Sequence, residues 1–596
     1  MSRAGARLEG GRKVVVVSRR GRFAVAEPLF DPGPQLRLVK GSASVDSGRM
    51  ALAEIGRDGA RLLRALGSPA RARDVVEALL LDRGLERGFR DRVASEAEAA
   101  ASAAGDDRGA RRDLTDLPTF TVDPASARDF DDAVSARPEG DGARLWIHIA
   151  DVAAHVRPGT ALEAEAYARA NSTYVPGAVE PMLPAALSAG ACSLAPGVPR
   201  LAVTAEIEMS SGGEARSASF YRSRIRSDAR LNYDQLDEIF AGRARPPEAV
   251  SRPLELARTI AAALAARRPA SSLTVSGSEP EFEFDDGTVV GSRAVAQTEA
   301  HRLIERLMIL SNEQVATLLE RRGVPTLYRV HEQPEPQRIS FMVEQLASLG
   351  IPTPPLPDVF GPREAGELAG AASRLVAAEA ERRGHGLQAY TALVLRALKQ
   401  AFYSDRNLGH AGLGSPAYAH FTSPIRRYPD LVAHRGLLSA IGEGEEAPER
   451  SAVRDAGVHC SERERDAVRI ERDADDVCAA FLLGRELFDS GWERDFEGEI
   501  SGLVGAGAFV SFAGELGEGY EGFLPARHLR GEYFELNETE TALVGRRSGK
   551  AVRLGDPVGV RVDSVEAPRG RVDLFPAAEV EERSPRRRGA RAGGRR

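Results

Sequence analysis

Four carboxylates fall close together in the segment Thr121–Val134, TVDPASARDFDDAV, at Asp123, Asp129, Asp131 and Asp132. Asp is a poor former of helix and strand interiors, and four like charges this close repel unless something positive sits among them. Hard divalent cations bound through carboxylate oxygen would supply that charge. One or two magnesium ions held this way activate water and stabilise a phosphoryl transition state. The plain alternative is an acidic surface loop built of Asx turns. Against it stand the apolar, β-prone neighbours Phe120, Val122, Phe130 and Val134, and Pro124, which fixes the chain between the first acid and the other three. An EF-hand does not fit, because the Gly and terminal Glu of its loop are missing at the required offsets.

A second segment, Ala419–Leu431, reads AHFTSPIRRYPDL. Pro424 and Pro429 exclude a helix interior between them, so Arg426 and Arg427 sit in a rigid turn where at least one can clamp a phosphate. The alternative is an arginine pair solvated on the surface. His148, Asp151 and His155 lack a further ligand at zinc spacing, and His331 and His420 are read as structural. Cys192, Cys460 and Cys478 show no CxxC spacing and are read as core packing.

The elements that must position these residues follow from composition and periodicity. At 596 residues, 42% hydrophobic and 28% charged, the chain has material for several cores and is not wholly disordered. Short strands at Val14–Val17, Arg22–Ala26, Leu36–Val39 and Met50–Ile55, separated by Gly and Pro, predict a small β-barrel over residues 1–70. Residues 71–112 read as a helical connector, with Val75, Val76, Leu79 and Leu80 at helical spacing. Residues 113–490 form one large α+β block, strand-rich at Leu145–Ile149 and Leu201–Ile207, then helical at Glu299–Leu319 and Ala389–Phe402. It closes on a helix carrying Ala467, Ile470, Ala474, Val477 and Phe481. Residues 494–577 hold five or six short strands, including Ala551–Leu554, in an OB-type barrel, and residues 578–596 form a basic tail expected to be disordered.

The net charge of −7 argues, taken alone, against a nucleic-acid partner, but Arg583–Arg596 carries seven Arg and no acid, leaving −14 on the remainder. The run Val14–Val17 is far too short for a membrane span, and the expectation is a cytoplasmic protein, monomeric and without a membrane partner. No GxxxxGK[ST] loop occurs, which removes an NTP-driven RNA remodeller.

The two chemistry-bearing segments together resemble the ribonuclease II / ribonuclease R (RNB) family of exoribonucleases. The likeness extends through WIHIADVAAHV (Trp146–Val156), YVPGAVEPMLPAALSAGACSL (Tyr174–Leu194), LIERLMILSNEQVA (Leu303–Ala316), LYRVHEQP (Leu327–Pro334) and Asn407–Arg435, in the family's order. The carboxy-terminal barrel resembles an S1 domain, and the amino-terminal part resembles the family's second cold-shock barrel, ending in ARDVVEALLLDRGL (Ala72–Leu85), as in a shortened form of the ribonuclease R architecture.

The fold this resemblance implies is α+β and multidomain, a central RNB-type nuclease domain flanked by OB-fold barrels. The implied activity is hydrolytic, magnesium-dependent 3′→5′ degradation of single-stranded RNA to nucleoside 5′-monophosphates. The alternative is a catalytically silent RNA-binding relative, which should have lost an Asp; none is lost. By resemblance Asp123 and Asp132 are the leading magnesium ligands among the four acids, Asp131 is the acid most critical to the chemical step with Asp129 beside it, and Arg426 neutralises the scissile phosphate. Tyr174 matches the aromatic that stacks on the 3′-terminal base, and Glu305 and Glu471 match acids that contact the RNA end; a buried structural pair is an alternative for Glu471. In the carboxy-terminal barrel Phe509, Phe523 and His528 are RNA-contact candidates, with core packing as the alternative for the phenylalanines; Phe23 and Phe30 are the obvious aromatics of the other barrel. The chain departs from the family at Val275, where relatives carry a second stacking aromatic, and at Arg306, where a second acid is common and a solvated helix position is the plain reading.

Overall fold

The computed structural model describes residues 11–577 apart from 22, 86, 104–110, 270, 274–277, 530 and 531. Val275 and the Arg-rich tail lie outside the described residues. The amino-terminal strands Arg12–Arg20, Phe23–Pro28, Leu36–Arg37, Met50–Gly56 and Gly59–Ala65 form one antiparallel sheet. A bridge from Leu38 to Ala60 and the bonds Val39 N–H to Ala60 O (3.0 Å) and Ala43 N–H to Leu62 O (2.9 Å) bring its two edges together. The strand Gly59–Ala65 is absent from the sequence expectation, because DGARLLRALG carries residues of high helix propensity that cross-strand pairing with Met50–Gly56 overrides. The helical connector is two helices, Ala72–Asp82 and Asp91–Ala103.

The centre is a seven-stranded mixed sheet. In spatial order its strands are Ala229–Asn232, Phe120–Asp123, Asp132–Glu139, Gly142–Ala150, Pro199–Met209, Ala215–Arg226 and Arg112–Asp113. Its inner strands are continuous apolar runs, with Leu145, Ile147, Ile149, Val203, Ala205 and Ile207 fully buried. The helices Ser251–Ala266 and Glu299–Arg322 pack on the sheet and on each other. The helix expected to reach Phe402 ends at Ala397, because Phe402–Ser404 pairs as a strand with Tyr328–Val330. The last central element is the helix Arg450–Ser490, 41 residues long.

Beyond it a closed five-stranded barrel forms from Asp495–Val504, Gly507–Phe512, Tyr520–Pro525, Arg571–Pro576 and Pro557–Glu566. The strand Ala551–Arg553 lies outside the barrel, in a small sheet with Phe534–Leu536 and Ala542–Gly545. Gly507, at φ 159°, passes so close to the neighbouring strand that a Cβ would lie 2.3 Å from the Leu524 carbonyl oxygen. Cys192, Cys460 and Cys478 are buried free thiols, as core packing predicts. No helix among the described residues is long and apolar enough to cross a membrane.

A buried carboxylate ties the amino-terminal barrel to this frame. Asp82 accepts from the Val14 N–H at 2.6 Å and lies 3.5 Å from the Lys13 ammonium, while Arg83 bridges Asp31 and Asp473 of the long helix at 3.2 and 3.0 Å. Arg569 of the carboxy-terminal barrel donates to the Leu29 carbonyl at 2.8 Å, so the two barrels also touch directly. Replacing Asp82 with Ala leaves the Val14 N–H and Lys13 without their acceptor. The expected cost is about 2 kcal/mol, read as faster hydrogen exchange at the Val14 amide and an earlier thermal transition.

Candidate active site

The carboxylate segment folds as two adjacent antiparallel strands of the central sheet and the loop between them. Phe120–Asp123 places Asp123 at its last residue and Asp132–Glu139 places Asp132 at its first, so both acids lie at one end of neighbouring strands. Pro124 ends the first strand, and Arg230 donates to the Pro124 and Ala125 carbonyls at 2.8 Å each. The fully buried Ser193 pins the loop, its hydroxyl donating to the Arg128 carbonyl at 2.8 Å and accepting from the Phe130 N–H at 3.1 Å. These bonds hold an intrinsically unfavourable loop in one shape.

Asp131 is buried, and its Oδ1 accepts from the Ile425 N–H at 2.8 Å while Arg426 Nε lies 3.7 Å from its Oδ2. The carboxylate segment and the arginine turn, nearly 300 residues apart in sequence, therefore meet at this residue. Burial pushes the Asp131 carboxyl well above its usual range, against the pull of Arg426. Burial likewise raises Asp123 and Asp132, and Asp132 beside it raises Asp123 further.

The two arginines have separate places. Arg427 grips the fully buried Asp430 through Nε at 2.9 Å and Nη2 at 2.7 Å, and Asp430 also accepts from the Ser423 N–H at 2.8 Å. Pro429 lies in the first turn of the helix Tyr428–Ile441, which Arg427 precedes, where a missing N–H does no harm. Arg426 keeps a side chain 49% exposed beside Asp131. Asn312 braces the same turn by accepting from the Phe421 N–H at 2.9 Å.

Tyr174 is 39% exposed, so it is not a core tyrosine. It sits in the short hairpin Thr173–Val175 with Ala178–Glu180, and its hydroxyl donates to Asp129 Oδ2 at 3.1 Å. Glu471 of the long helix accepts from the Tyr174 N–H at 2.8 Å, so it holds the backbone under this ring. Burial raises the Glu471 carboxyl. Glu305 is exposed on the helix Glu299–Arg322, one turn beyond His301. Arg306 is not simply solvated: it is partly buried and donates to the Ala261 carbonyl at 3.3 Å.

Sequence reasoning missed three neighbours. Tyr233 lies close enough to Asp123 and Asp132 that their charges help burial to raise its hydroxyl pKa. The His301 ring stacks on Tyr233 with centroids 3.9 Å apart and planes 13° apart. The Arg230 guanidinium pulls down on Asp123. The signal that could have flagged Tyr233 is its place directly after Asn232, which pairs with Asp123 in the sheet and caps the helix Tyr233–Phe240.

The histidine and acid sets read as structural have partners of their own. His148 bonds Ser135 at 3.2 Å and Thr204 at 2.9 Å, with its pKa pushed down to about 3 by burial, and Asp151 pairs with Arg111 and Arg222 at 2.8 and 2.9 Å. His331 accepts from the Gly412 N–H at 3.1 Å, and His420 bonds the Tyr403 hydroxyl at 2.8 Å.

In the carboxy-terminal barrel Phe509 and Phe523 pair across strands with centroids 5.3 Å apart, and His528 stacks on Phe575 at 4.2 Å. Phe509 and Phe575 are 37% and 40% exposed, so these rings form a surface face rather than a core. In the other barrel Phe23 is exposed and Phe30 packs against the core.

Among the described residues no three metal-ligating side chains form a ready-made cluster. The fit to a cation rests on Asp123 Oδ2 and Asp132 Oδ2, which are buried without a hydrogen-bond partner. Unpaired carboxylate oxygens out of water are costly, and hard oxygen donors are what magnesium takes. Magnesium at 100 times its dissociation constant should stabilise the parent by about 2.7 kcal/mol. Asp123→Asn should raise the melting temperature of the metal-free protein and abolish the magnesium-induced rise, as read by calorimetry with and without the ion.

The RNB domain model matches residues 111–443, which contain the carboxylates, Tyr174 and both arginines. Ribonuclease R of Aquifex aeolicus is 35% identical over 527 residues, covering 86% of this chain and 72% of that protein. Ribonuclease R of Escherichia coli is 35% identical over 525 residues, and the match spans 85% of this chain but 60% of that longer protein. The structure of Mycoplasma genitalium RNase R in complex with ribose-methylated single-stranded RNA superposes with a TM-score of 0.84 at 25% identity, covering 96% of this chain and 90% of that one. By sequence and by fold, this chain belongs to the RNB family, that of the ribonuclease R 3′→5′ exoribonucleases.

Proposed function

We propose that this chain is itself an active hydrolytic, magnesium-dependent 3′→5′ exoribonuclease that takes single-stranded RNA by its 3′ end and releases nucleoside 5′-monophosphates. The observation that carries this reading is the pair of buried, unpartnered oxygens of Asp123 and Asp132 beside Asp131 and a half-exposed Arg426. Magnesium bound among Asp123, Asp129, Asp131 and Asp132 would activate water and offset transition-state charge. Arg426 neutralises the phosphate being cut, with its partner Asp131 holding it in place through the 3.7 Å contact. Tyr174 offers a stacking surface to the terminal base without reading its identity, Glu471 holds the Tyr174 backbone, and Glu305 is the further acid assigned to the RNA end.

In the same reading residues 113–490 do the chemistry, with 71–112 as connector, and the barrels at 1–70 and 494–577 guide the strand. The ring face of Phe509, Phe523 and His528, which Phe575 extends, suits single-stranded RNA. Carboxylates, arginine and tyrosine come from one chain, so a monomer is sufficient.

The deciding assay uses 5′-labelled single-stranded RNA resolved on a sequencing gel. The parent should shorten the RNA from its 3′ end only with magnesium present, and Asp131→Asn should bind RNA without shortening it. A parent that binds RNA and leaves it intact would make the silent binding protein the better account. The final fragment length reports on Val275.

The arginines should separate in the same assay. Arg426→Ala should slow cleavage by about a hundredfold or more with an unchanged melting temperature. Arg427→Ala should lower the melting temperature, because it leaves Asp430 buried without its cation.

A further inference from the structure

The hairpin that carries Tyr174 is small: Thr173–Val175 pairs with Ala178–Glu180, and the turn falls at Pro176 and Gly177. Two strands of three residues do not hold their shape alone in water. One end is tied down, because Glu471 accepts from the Tyr174 N–H at 2.8 Å and the Arg426 carbonyl accepts from the Ser172 N–H at 2.9 Å. Neither bond reaches the turn. A ring from elsewhere in the chain does: a Cβ at Gly177 would lie 3.2 to 3.4 Å from three carbons of Phe284, tighter than ordinary van der Waals contact. The turn rests directly on that ring, and Gly177, at φ 73°, is the residue that such a turn accommodates. Val175, next to Tyr174, is buried in the same apolar cluster that Phe282 and Phe284 pack against, with Ile470 and Ala474 of the long helix.

Phe284 is a firm support because its own hairpin is fixed at the tip and along one strand. The strands Ser278–Asp285 and Thr288–Ala296 pair antiparallel, with Glu283 opposite Gly291 but Phe284 opposite Val289. Val290 is therefore an extra residue, and such a bulge bends the strand and re-aims the side chains beside it. At the tip the Arg71 guanidinium donates to the Asp286 carbonyl at 2.9 Å and the Arg73 N–H to the Gly287 carbonyl at 3.4 Å. Along the second strand the Ser292 N–H donates to the Leu516 carbonyl and the Ala294 N–H to the Glu518 carboxylate, each at 3.0 Å. Leu516 and Glu518 lie on the loop between two strands of the carboxy-terminal barrel. The buried Glu486 of the long helix pins that loop by accepting from the Glu515 and Leu516 N–H groups at 2.9 and 3.2 Å.

We propose that Phe284 is a positioning residue for Tyr174, acting on RNA only through that tyrosine by supporting the turn of its hairpin. The inference rests on the stacking role given to Tyr174 above. The Tyr174 ring is held at its tip by the 3.1 Å bond from its hydroxyl to Asp129 and at its backbone by Glu471, and the turn sets the tilt of the strand between them. Without the Phe284 ring the turn sinks into the space left behind, and the tyrosine spends part of its time out of the plane in which a base stacks on it. The loss falls on the grip of the RNA end and not on the cutting step.

The test is a double-mutant cycle on the binding of 5′-labelled single-stranded RNA to the full chain without divalent metal, so that cleavage does not enter the readout. Tyr174→Ala should weaken binding about tenfold, and Phe284→Ala about fivefold in the parent but not at all in the Tyr174→Ala background. Phe284→Met, whose unbranched side chain still reaches the turn, should bind like the parent. With magnesium, Phe284→Ala should raise the KM for RNA by the same factor and leave kcat within about twofold. Should Phe284→Ala not fold, Phe284→Leu, which shortens the support and leaves a smaller hole, takes its place in the cycle. An equal loss in both backgrounds would overturn the proposal and mark Phe284 as ordinary packing, and so would no loss in the parent. If Tyr174→Ala binds RNA as tightly as the parent, the stacking reading itself fails and the positioning role falls with it.

Discussion

The structure is organised around one electrostatic difficulty, the holding of several carboxylates together out of water. Two unit charges 4 Å apart at an effective dielectric of 20 repel by about 4 kcal/mol, and burial adds the cost of lost hydration. A flexible loop would relieve this by swinging the acids apart. Here the end of one sheet strand and the start of the next fix Asp123 and Asp132, and Ser193 pins the loop between them. The built-in counter-charge is modest. Arg230 is committed to two backbone carbonyls and Arg426 lies 3.7 Å from Asp131, so two carboxylate oxygens still lack partners. A site with that shortfall suits a divalent ion, whose charge offsets the repulsion that the fold maintains.

The second consequence is that Arg426 and Tyr174, the groups proposed to face the substrate, are mechanically coupled. The Arg426 carbonyl accepts from the Ser172 N–H at 2.9 Å, and the Ala170 carbonyl accepts from the Tyr428 N–H at 2.8 Å. The Tyr174 hairpin and the arginine turn are therefore laced together by backbone, and Glu471 ties the hairpin to the long helix. Arg426 and Tyr174, proposed as clamp and stacking platform, keep their spacing because both hang from the same bonds. Arg427 serves this frame rather than the substrate, since both its donor faces are spent on Asp430.

What the sequence made legible follows from how local each signal is. The carboxylates were visible because four acids set between apolar β-formers and a proline make a poor solvated loop and a good cation site, and the turn around Arg426 was visible because two prolines frame it. The choice between Arg426 and Arg427 was not, although Asp430 three residues on hinted at a local pair for Arg427. Tyr233, His301 and Arg230 were missed because each reaches the site through tertiary packing and sits in an unremarkable stretch of sequence. The same limit applies to the strands. Gly59–Ala65 and Phe402–Ser404 look helical locally and become β only because a partner strand is present, an energy that no window of sequence contains.

The barrels extend this logic from the site to the path leading to it. Base stacking on an aromatic ring contributes about 1 to 3 kcal/mol per base, so a strand held by Tyr174 alone would slip readily between cuts. In the proposed function the ring pairs Phe509–Phe523 and His528–Phe575 would offer further such contacts. Those pairs are fixed relative to the site because Arg569 reaches the amino-terminal barrel and Arg83 fastens the connector beneath that barrel to Asp473 of the long helix. The long helix in turn holds Tyr174 through Glu471. In the proposed function this chain of polar contacts would set grip and cleavage at a constant separation, so that a strand held at the barrel would meet the carboxylates in the same register after each nucleotide is removed.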